Sequence, residues 1–286
     1  MHLRVVLRIL GQLLMLYSVT MLPPVAVSVY YRDGQAPAFI GAFGIILVVG
    51  LAAWLSARND RRELRLRDGF LVAAVFWLGL GAFSATPFLL ATTPQMSVVN
   101  AFFEAVSGLT TTGSTVLQGL DFLPKSILYY RVQLHWLGGM GIIVLAVAIL
   151  PMLGVGGMQL YRAETPGPMK DSKLTPRITE TAKALWLIYV GLTALCVLAY
   201  WYAGMSPFDA VCHGFSTVAT AGFANYDASI AWFNSPLIES IAIVFMVLGG
   251  ISFTLHFVAW RGRSIRAYWR DPELRGFLMI LLIVTL

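Results

Sequence analysis

Two short, hydroxyl-rich segments carry the chemistry that this sequence suggests. They are Ser107-Gly-Leu-Thr-Thr-Thr-Gly-Ser-Thr115 and Ser216-Thr-Val-Ala-Thr-Ala-Gly-Phe-Ala224, and each follows an apolar run too short to cross a bilayer. Non-helical backbone at membrane depth is tolerated only where it is buried in protein or lines an aqueous cavity, because lipid cannot satisfy its peptide groups. Rings of such backbone carbonyls replace the hydration shell of potassium in ion filters. The segments therefore predict two copies of a cation filter.

The predicted ion ligands are main-chain oxygens rather than side chains. A short helix that ends at a filter adds roughly half a negative charge there, which favours a cation. Neutral oxygens suit a weakly held monovalent ion, whereas carboxylates would bind divalent ions and release them slowly. Neither segment contains an acidic residue. The candidate ligands are the carbonyls of Thr111, Thr112 and Gly113 in the first segment and of Thr220, Ala221 and Gly222 in the second.

The alternative for these segments is an extracellular turn, or a helix whose hydroxyls bond its own backbone. The spacing of the two segments favours the filter. Setting Gly113 against Gly222 aligns Ser107 with Ser216, and the order span, short apolar helix, filter segment, span occurs twice. A repeat of about 110 residues with matching elements is stronger evidence than either motif alone.

Composition indicates a polytopic membrane protein. Of the 286 residues, 58% are apolar and 12% are charged. A helix needs about 20 apolar residues to span the hydrocarbon core. Hydropathy predicts spans at 9–30, 37–56, 69–90, 126–150, 183–204 and 236–259, with a seventh that begins near Phe277. The re-entrant helices are predicted at Ser97–Gly108 and Pro207–Thr217.

The distribution of basic residues predicts the orientation. The N-terminus and the loops 58–67, 162–183 and 261–275 contain 17 of the 20 lysine and arginine residues. The positive-inside rule places all of these in the cytoplasm and both filter segments near the outer face. The net charge of +6 is thereby explained without a nucleic-acid partner.

These patterns predict an all-α membrane protein with two pore repeats and a truncated start of a third. Residues 1–68 are assigned to two N-terminal transmembrane helices and 69–160 to the first pore repeat. A cytoplasmic loop, 161–182, precedes the second pore repeat at 183–260. Residues 261–286 are assigned to a cytoplasmic linker and the beginning of a third repeat, because the apolar segment after Arg275 is only the ten residues 277–286.

Other polar and glycine residues receive structural interpretations. Glu104 is an intramembrane charge with Arg131 as its candidate partner, and surface exposure of either is the alternative. Glycine clusters are assigned mainly to close helix packing, with flexibility below the filter as the second option; they lie at 138–141, 154–157 and 249–250. The histidines His135, His213 and His256 lack the spacing of a metal site and are interpreted as polar contacts. Cys196 and Cys212 are interpreted as small apolar residues.

The chain resembles the TrkH subunits of bacterial Trk potassium uptake systems, within the TrkH/TrkG/KtrB superfamily, over essentially its whole length. The residues that carry the resemblance are Phe103-Glu-Ala-Val-Ser-Gly-Leu-Thr-Thr-Thr-Gly-Ser-Thr115, Leu123-Pro-Lys-Ser126, Trp136-Leu-Gly-Gly-Met-Gly-Ile-Ile-Val144 and Gly156-Gly-Met-Gln-Leu-Tyr161.

The resemblance implies four helix, pore-helix, helix repeats around one pore in the bacterial inner membrane. It also implies a homodimer, gated by a cytosolic nucleotide-binding TrkA ring, with potassium as the transported ion and no catalysed reaction. Potassium-contacting carbonyls fall by position on Thr111, Thr112, Thr220 and Ala221. Glycine at both 113 and 222 favours potassium, since relatives with serine at such a position tend to pass sodium. The family's third and fourth repeats, with their gating loop and gating arginine, have no counterpart among these residues.

Two other functions fit the same sequence. One is a polytopic membrane enzyme, such as a hydrolase that uses Ser107 or Ser216 with a histidine, although neither serine has an evident base nearby in sequence. The other is a nonconducting assembly or regulatory subunit.

Because a potassium filter has about four carbonyls around each site, we expect residues 1–286 alone not to carry potassium.

Overall fold

The computed structural model of the chain describes residues 3–59, 66–141 and 178–285, and the regular secondary structure within these ranges is entirely helical. The predicted all-α class is confirmed. The helices are α1 (Leu3–Val19), α2 (Leu22–Tyr31), α3 (Ala36–Ala57), α4 (Leu66–Ser84), α5 (Thr86–Leu90), α6 (Val98–Leu109), α7 (Lys125–Trp136), α8 (Ile178–Tyr202), α9 (Pro207–Val218), α10 (Pro236–Gly250), α11 (Phe253–Gly262), α12 (Arg266–Arg270) and α13 (Pro272–Thr285).

Among the described residues, three helical stretches are long and apolar enough to cross a bilayer: Leu3–Tyr31, Ala36–Ala57 and Lys183–Tyr202. The span predicted at 236–259 is not one straight helix, because α10 and α11 meet at an angle of 89°. The break follows Gly249-Gly250, and Ile251 is extended. The last helix begins at Pro272 rather than near Phe277, since Asp271 accepts a hydrogen bond from the Leu274 amide at 2.8 Å and so caps its first turn.

The N-terminal helices pack directly on the first pore repeat. Buried side chains of α1, α3, α4, α6 and α7 form one continuous core. Within it, the Tyr17 hydroxyl lies 2.6 Å from Ser84 Oγ and 3.3 Å from the Tyr130 hydroxyl, which donates to the Ser84 carbonyl at 2.8 Å. The polar side chains of Tyr17, Ser84 and Tyr130 therefore satisfy one another. The domain boundary predicted at 68 stays a prediction.

Asp33, in the turn between α2 and α3, caps the N-terminus of α7. Its carboxylate accepts the backbone N–H of Ser126 at 2.8 Å and that of Gln35 at 3.2 Å, and it also bonds the Ser28 hydroxyl. Pro124, the residue at the start of α7, provides no side-chain cap. Partial burial alone would raise the Asp33 pKa, but these hydrogen bonds favour the carboxylate and hold the pKa below its usual 3.8.

We expect Asp33→Ala to destabilise the protein by about 1 kcal/mol, the usual cost of losing a helix cap. The loss should appear as a lower thermal unfolding midpoint in detergent. Because the folded pKa is depressed, the stabilisation is present above the unfolded pKa and is lost as pH falls through the folded value. Glu239→Ala is the control, since Glu239 is an exposed acid in the first turn of α10. Equal midpoints for the two variants would contradict the capping role.

The second pore repeat has its own core, which meets the first repeat around the end of α7. Trp136 stacks on Phe215 at 5.0 Å between ring centroids and donates its indole N–H to Thr193 Oγ1 at 3.1 Å. Val132, Cys212 and Phe223 form a smaller buried cluster at the same junction. Cys196 and Cys212 are both buried. The junction fixes the second filter segment against a helix of the first repeat.

Candidate functional site

Helices α6 and α9 are the predicted re-entrant helices, and each is capped by a serine. Ser97 Oγ accepts the amide of Asn100 at 3.2 Å, and Ser206 Oγ accepts the amide of Asp209 at 3.1 Å. The helices are 12 residues each, so they reach only part-way across a bilayer. Both lead directly into a non-helical segment, as predicted.

The two helices end in the same way. The amide of Thr112 donates to the Ser107 carbonyl at 2.9 Å, and the amide of Ala221 donates to the Ser216 carbonyl at 3.0 Å. One residue earlier, the amide of Thr111 donates to the Gly108 carbonyl at 3.1 Å, and the amide of Thr220 donates to the Thr217 carbonyl at 3.0 Å. This pair of bonds is a Schellman motif, which places the residue after the C-cap in the left-handed region. The motif turns the chain sharply out of each helix.

Left-handed residues occupy matched positions in the two segments. Thr111 and Thr220 have φ of 55° and 53°, and Gly113 and Gly222 have φ of 75° and 110°. The glycines adopt this conformation without steric cost, but each threonine costs about 1–2 kcal/mol. In an extended chain successive carbonyls face opposite sides, and a left-handed residue rotates the next peptide plane. Alternate left-handed residues therefore turn neighbouring carbonyls to one side.

The structure brings the two predicted segments together. A Cβ atom built on Gly113 would lie 1.9 Å from the carbonyl oxygen of Ala221 and 3.4 Å from the Cα of Gly222. Thr112, Thr220 and Gly222 are exposed, whereas Thr111, Gly113 and Ala221 are half-buried. Beyond the helix ends at Leu109 and Val218, the described residues of neither segment form a hydrogen-bonded strand. Ion binding by their carbonyls stays a prediction.

Glu104 and Arg131 form a buried ion pair behind the first segment, which settles the alternative of surface exposure. Arg131 Nε donates to Glu104 Oε1 at 2.7 Å, and neither side chain is more than 1% exposed. Glu104 also accepts the Thr115 hydroxyl at 2.9 Å and the Val116 amide at 3.0 Å. The carboxylate thus ties α6 to the chain that leaves the filter segment.

Arg131 reaches the second segment as well. Its Nη1 donates to the Ala224 carbonyl at 3.2 Å, and its guanidinium lies over the Phe223 ring at 4.2 Å. Its Nη2 donates to the Thr115 hydroxyl at 2.9 Å. One buried cation therefore contacts both segments just beyond their glycines.

Two aspartates fix the second segment and the loop that follows it. Asp209 accepts hydrogen bonds from Asn225 Nδ2 at 2.8 Å and from the Tyr226 hydroxyl at 3.1 Å. Asp227 accepts the amides of Gly119 and Leu120 at 3.0 and 3.1 Å, which joins the loops that follow the two filter segments. The sequence interpretation missed both aspartates. The spacing Ser206-Pro-Phe-Asp209 is a capping-box signal for the first of them.

Glycines below the segments pack against the ends of the short helices. A Cβ on Gly138 would lie 1.8 Å from the Leu109 carbonyl oxygen, and one on Gly249 would lie 2.5 Å from that of Val218. Leu109 and Val218 are the last residues of α6 and α9, so the contact is the same in both repeats. The packing interpretation fits these glycines. The glycine cluster at 154–157 and the loop 161–177 lie outside the described residues.

The histidines make polar contacts, as interpreted. His213 Nδ1 lies 2.9 Å from the Asp209 carbonyl, and His256 lies 2.9 Å from the Tyr268 hydroxyl. His135 Nδ1 lies 3.2 Å from Ser216 Oγ, across the junction between the repeats. Among the described residues, no group of three or more histidine, cysteine or acidic side chains is placed to hold a metal ion.

Comparisons with known proteins agree on one family. The family model described as TrkH, a cation transport protein, matches residues 35–286. The chain is 58% identical over 282 residues to the Trk system potassium uptake protein TrkH of Halomonas elongata. It is 54% identical over 278 residues to TrkH of Escherichia coli and 44% identical over 281 residues to TrkG of Escherichia coli.

A solved structure is also similar. The crystal structure of the potassium transporter TrkH from Vibrio parahaemolyticus matches 99% of this chain with a TM-score of 0.85 and 50% identity. The match covers 57% of that chain, and the matches to the three relatives cover 97–99% of this chain and 58% of each relative. This chain therefore spans less than three fifths of the length of these relatives.

Proposed function

Because the chain belongs to the TrkH family of cation transport proteins, we propose that it contributes a potassium filter to a Trk-type uptake system in the bacterial inner membrane. The observation that supports this most directly is the close approach of the two segments, with matched left-handed residues at 111 and 113 and at 220 and 222. The proposed ligands are the carbonyls of Thr111, Thr112 and Gly113 in the first segment and of Thr220, Ala221 and Gly222 in the second.

The proposed mechanism is replacement of water by peptide oxygens. The carbonyls of Thr111, Thr112 and Gly113 lie beside those of Thr220, Ala221 and Gly222 on one part of a pore wall, and a dehydrated potassium ion binds to both sets. Neutral oxygens hold the ion weakly enough to release it inward. The Schellman bonds and the buried Arg131 keep the carbonyls oriented when the ion leaves. The site is thus organised before the ion arrives.

The experiment that tests this function is ion uptake by the purified chain in liposomes. Two arms are needed, one with residues 1–286 alone and one with the chain joined to the C-terminal part of TrkH from Vibrio parahaemolyticus that lies beyond the matched region. We expect rubidium uptake, resistant to excess sodium, in the joined arm. Lack of uptake there, beside an active Vibrio parahaemolyticus TrkH control, would contradict the proposed function.

The same assay tests whether residues 1–286 suffice. Potassium filters place about four carbonyls around each site, and this sequence supplies two filter segments. We therefore expect the 286-residue arm to show little or no selective uptake. Robust, selective uptake by a verified monomer of residues 1–286 would overturn the requirement for further segments.

Hydrolysis is the second function with an observation in its favour, since Ser216 Oγ lies within hydrogen-bond distance of His135 Nδ1. Ser216 is only 4% exposed and His135 is fully buried, so a substrate carbonyl has no access to them. The Ser216 hydroxyl also accepts the Gly222 amide. We propose a positioning role for the pair instead, and we expect the liposome preparations to show no peptidase activity.

The orientation of the chain follows from the charge distribution. The Ser126 amide donates to Asp33, Gln35 Nε2 donates to Thr92 Oγ1, and the Gly119 amide donates to Asp227, so these loops lie at one end of the molecule. We propose that this end faces outward and that the N-terminus is cytoplasmic.

Single cysteines test this orientation. With an impermeant thiol reagent applied to intact cells, Thr93→Cys should be labelled, whereas Arg62→Cys should react only after the membrane is opened. The native cysteines are buried, and the unmodified chain serves as the background control. Labelling of position 62 from outside would contradict both the orientation and the filter assignment.

The proposed partners are a second copy of the chain and a cytosolic TrkA-like nucleotide-binding ring. They rest on the family and on the relatives' description as parts of a Trk system. Cross-linking in membranes and co-purification with TrkA test the two contacts separately.

A further inference from the structure

His135 connects the first repeat to the filter segment of the second. It lies in the last turn of α7, is fully buried, and places Nδ1 3.2 Å from Ser216 Oγ. Its ring also stacks on Phe223, with 4.1 Å between centroids and 20° between planes. Both contacts flank Gly222, since Phe223 follows it and Ser216 bonds to it.

The Ser216 hydroxyl links the His135 ring to the backbone of the second filter segment. Ser216 Oγ accepts the amide N–H of Gly222 at 3.1 Å. The same oxygen shares a second hydrogen bond with His135 Nδ1, whose donor depends on the tautomer of the imidazole. The result is a chain of two hydrogen bonds that links the Gly222 amide, the Ser216 hydroxyl and the His135 ring.

The orientation of one proposed ligand depends on this chain. The Gly222 N–H and the Ala221 C=O belong to the same planar trans peptide, so they point in opposite directions. Holding the N–H toward Ser216 therefore turns the Ala221 oxygen the other way. That oxygen is the atom nearest to a Cβ built on Gly113, so it faces the first filter segment. A rotation of this peptide would move the oxygen off its position.

We propose that His135 is a positioning residue for potassium selectivity, which acts through Ser216 to fix the peptide between Ala221 and Gly222. The proposal rests on the filter function proposed above. It is specific to the second segment: Ser107, the counterpart of Ser216, is buried with no hydrogen-bond partner for its hydroxyl among the described residues. Aligning Gly138 with Gly249 places Met246, which is 44% exposed, at the position of His135.

A structural role and a positioning role make different predictions. His135→Phe keeps an aromatic ring against Phe223 and removes only the hydrogen bond to Ser216. We expect it to reach the membrane in normal amount and to lower the ratio of rubidium to sodium uptake by about two- to tenfold, the range that one hydrogen bond supports. Ser216→Ala should lower the ratio similarly, and the double variant should lower it no further.

His256→Phe is the matched control. His256 is another buried histidine with two hydrogen-bond contacts, to Tyr268 and Leu248, and it has none to a filter segment. We expect this variant to keep the wild-type uptake ratio whatever its thermal stability. Uptake of all variants is measured in whichever form carries rubidium, either residues 1–286 alone or the chain joined to the C-terminal part of TrkH from Vibrio parahaemolyticus.

The decisive outcomes are distinct from those for the filter function. A wild-type ratio in His135→Phe would overturn the proposal while leaving the filter function in place. If His135→Phe is not recovered from membranes, the ratio for Ser216→Ala decides in the same way. Should no form carry rubidium, deuterium exchange of a peptide containing Gly222 in the purified chain still decides. Faster exchange in His135→Phe supports the positioning of this peptide by His135, and unchanged exchange in that variant overturns the proposal.

Discussion

Replacing Gly113 with serine is expected to lower the preference for rubidium over sodium at least about tenfold, or to abolish uptake. The new Cβ would lie 1.9 Å from the Ala221 carbonyl oxygen and 2.9 Å from its carbon, both backbone atoms that cannot rotate away. The φ of 75° adds a penalty of about 1–2 kcal/mol for a residue with a side chain, which alone corresponds to about tenfold. Either the carbonyls move apart or the segments separate, and both disturb the proposed site.

Two controls separate the causes. Gly119→Ser has the same positive φ requirement, but its Cβ would meet only Phe122 at 4.0 Å, so it measures backbone strain away from the filter glycines. Gly191→Ser lies within α8 with no atom within 4 Å, so it should change neither uptake nor stability appreciably. Uptake and membrane abundance are measured for all three. A wild-type uptake ratio in Gly113→Ser would show that this glycine serves packing alone.

The parts of the site that the sequence predicts are those with local signals. The short helices α6 and α9 were predicted because their apolar runs are too short to span, and their bounds agree to within one residue. The glycines at 113 and 222 stand out within hydroxyl-rich sequence, and both have the positive φ that glycine adopts without steric cost. Glu104 and Arg131 stood out as charges within apolar sequence. In each case the residue type and its immediate neighbours carry the information.

The parts that the sequence does not predict depend on contacts between distant residues. Thr111 and Thr220 adopt positive φ although threonine resists it, because the Schellman bonds of the preceding helix impose it. His135 and Ser216 are 81 positions apart, and only the junction of the two repeats brings them together. The bend between α10 and α11 lies in the stretch 240–260, which contains no charged residue, so the hydropathy signal continues across it. Packing, rather than local preference, decides these features.

Arg131 has the most extensive role in joining the two filter segments. It bonds Glu104 and Thr115 in the first repeat and the Ala224 carbonyl in the second, and both charged side chains are shielded from water. Burial of two charges costs desolvation energy, so the pair as a whole contributes little net stability. Removing one partner is different, because the other charge is then left buried and uncompensated.

We therefore expect Glu104→Gln and Arg131→Gln each to destabilise the chain by about 3–5 kcal/mol. In the double variant no buried charge is left unpaired, so the loss should be smaller than the sum of the two single losses. That shortfall is the coupling energy of the pair. Thermal unfolding in detergent and membrane abundance measure all three. A single variant as stable as the wild type would show that water reaches the site and that the pair does not hold the segments together. An additive double variant would show that Glu104 and Arg131 act independently.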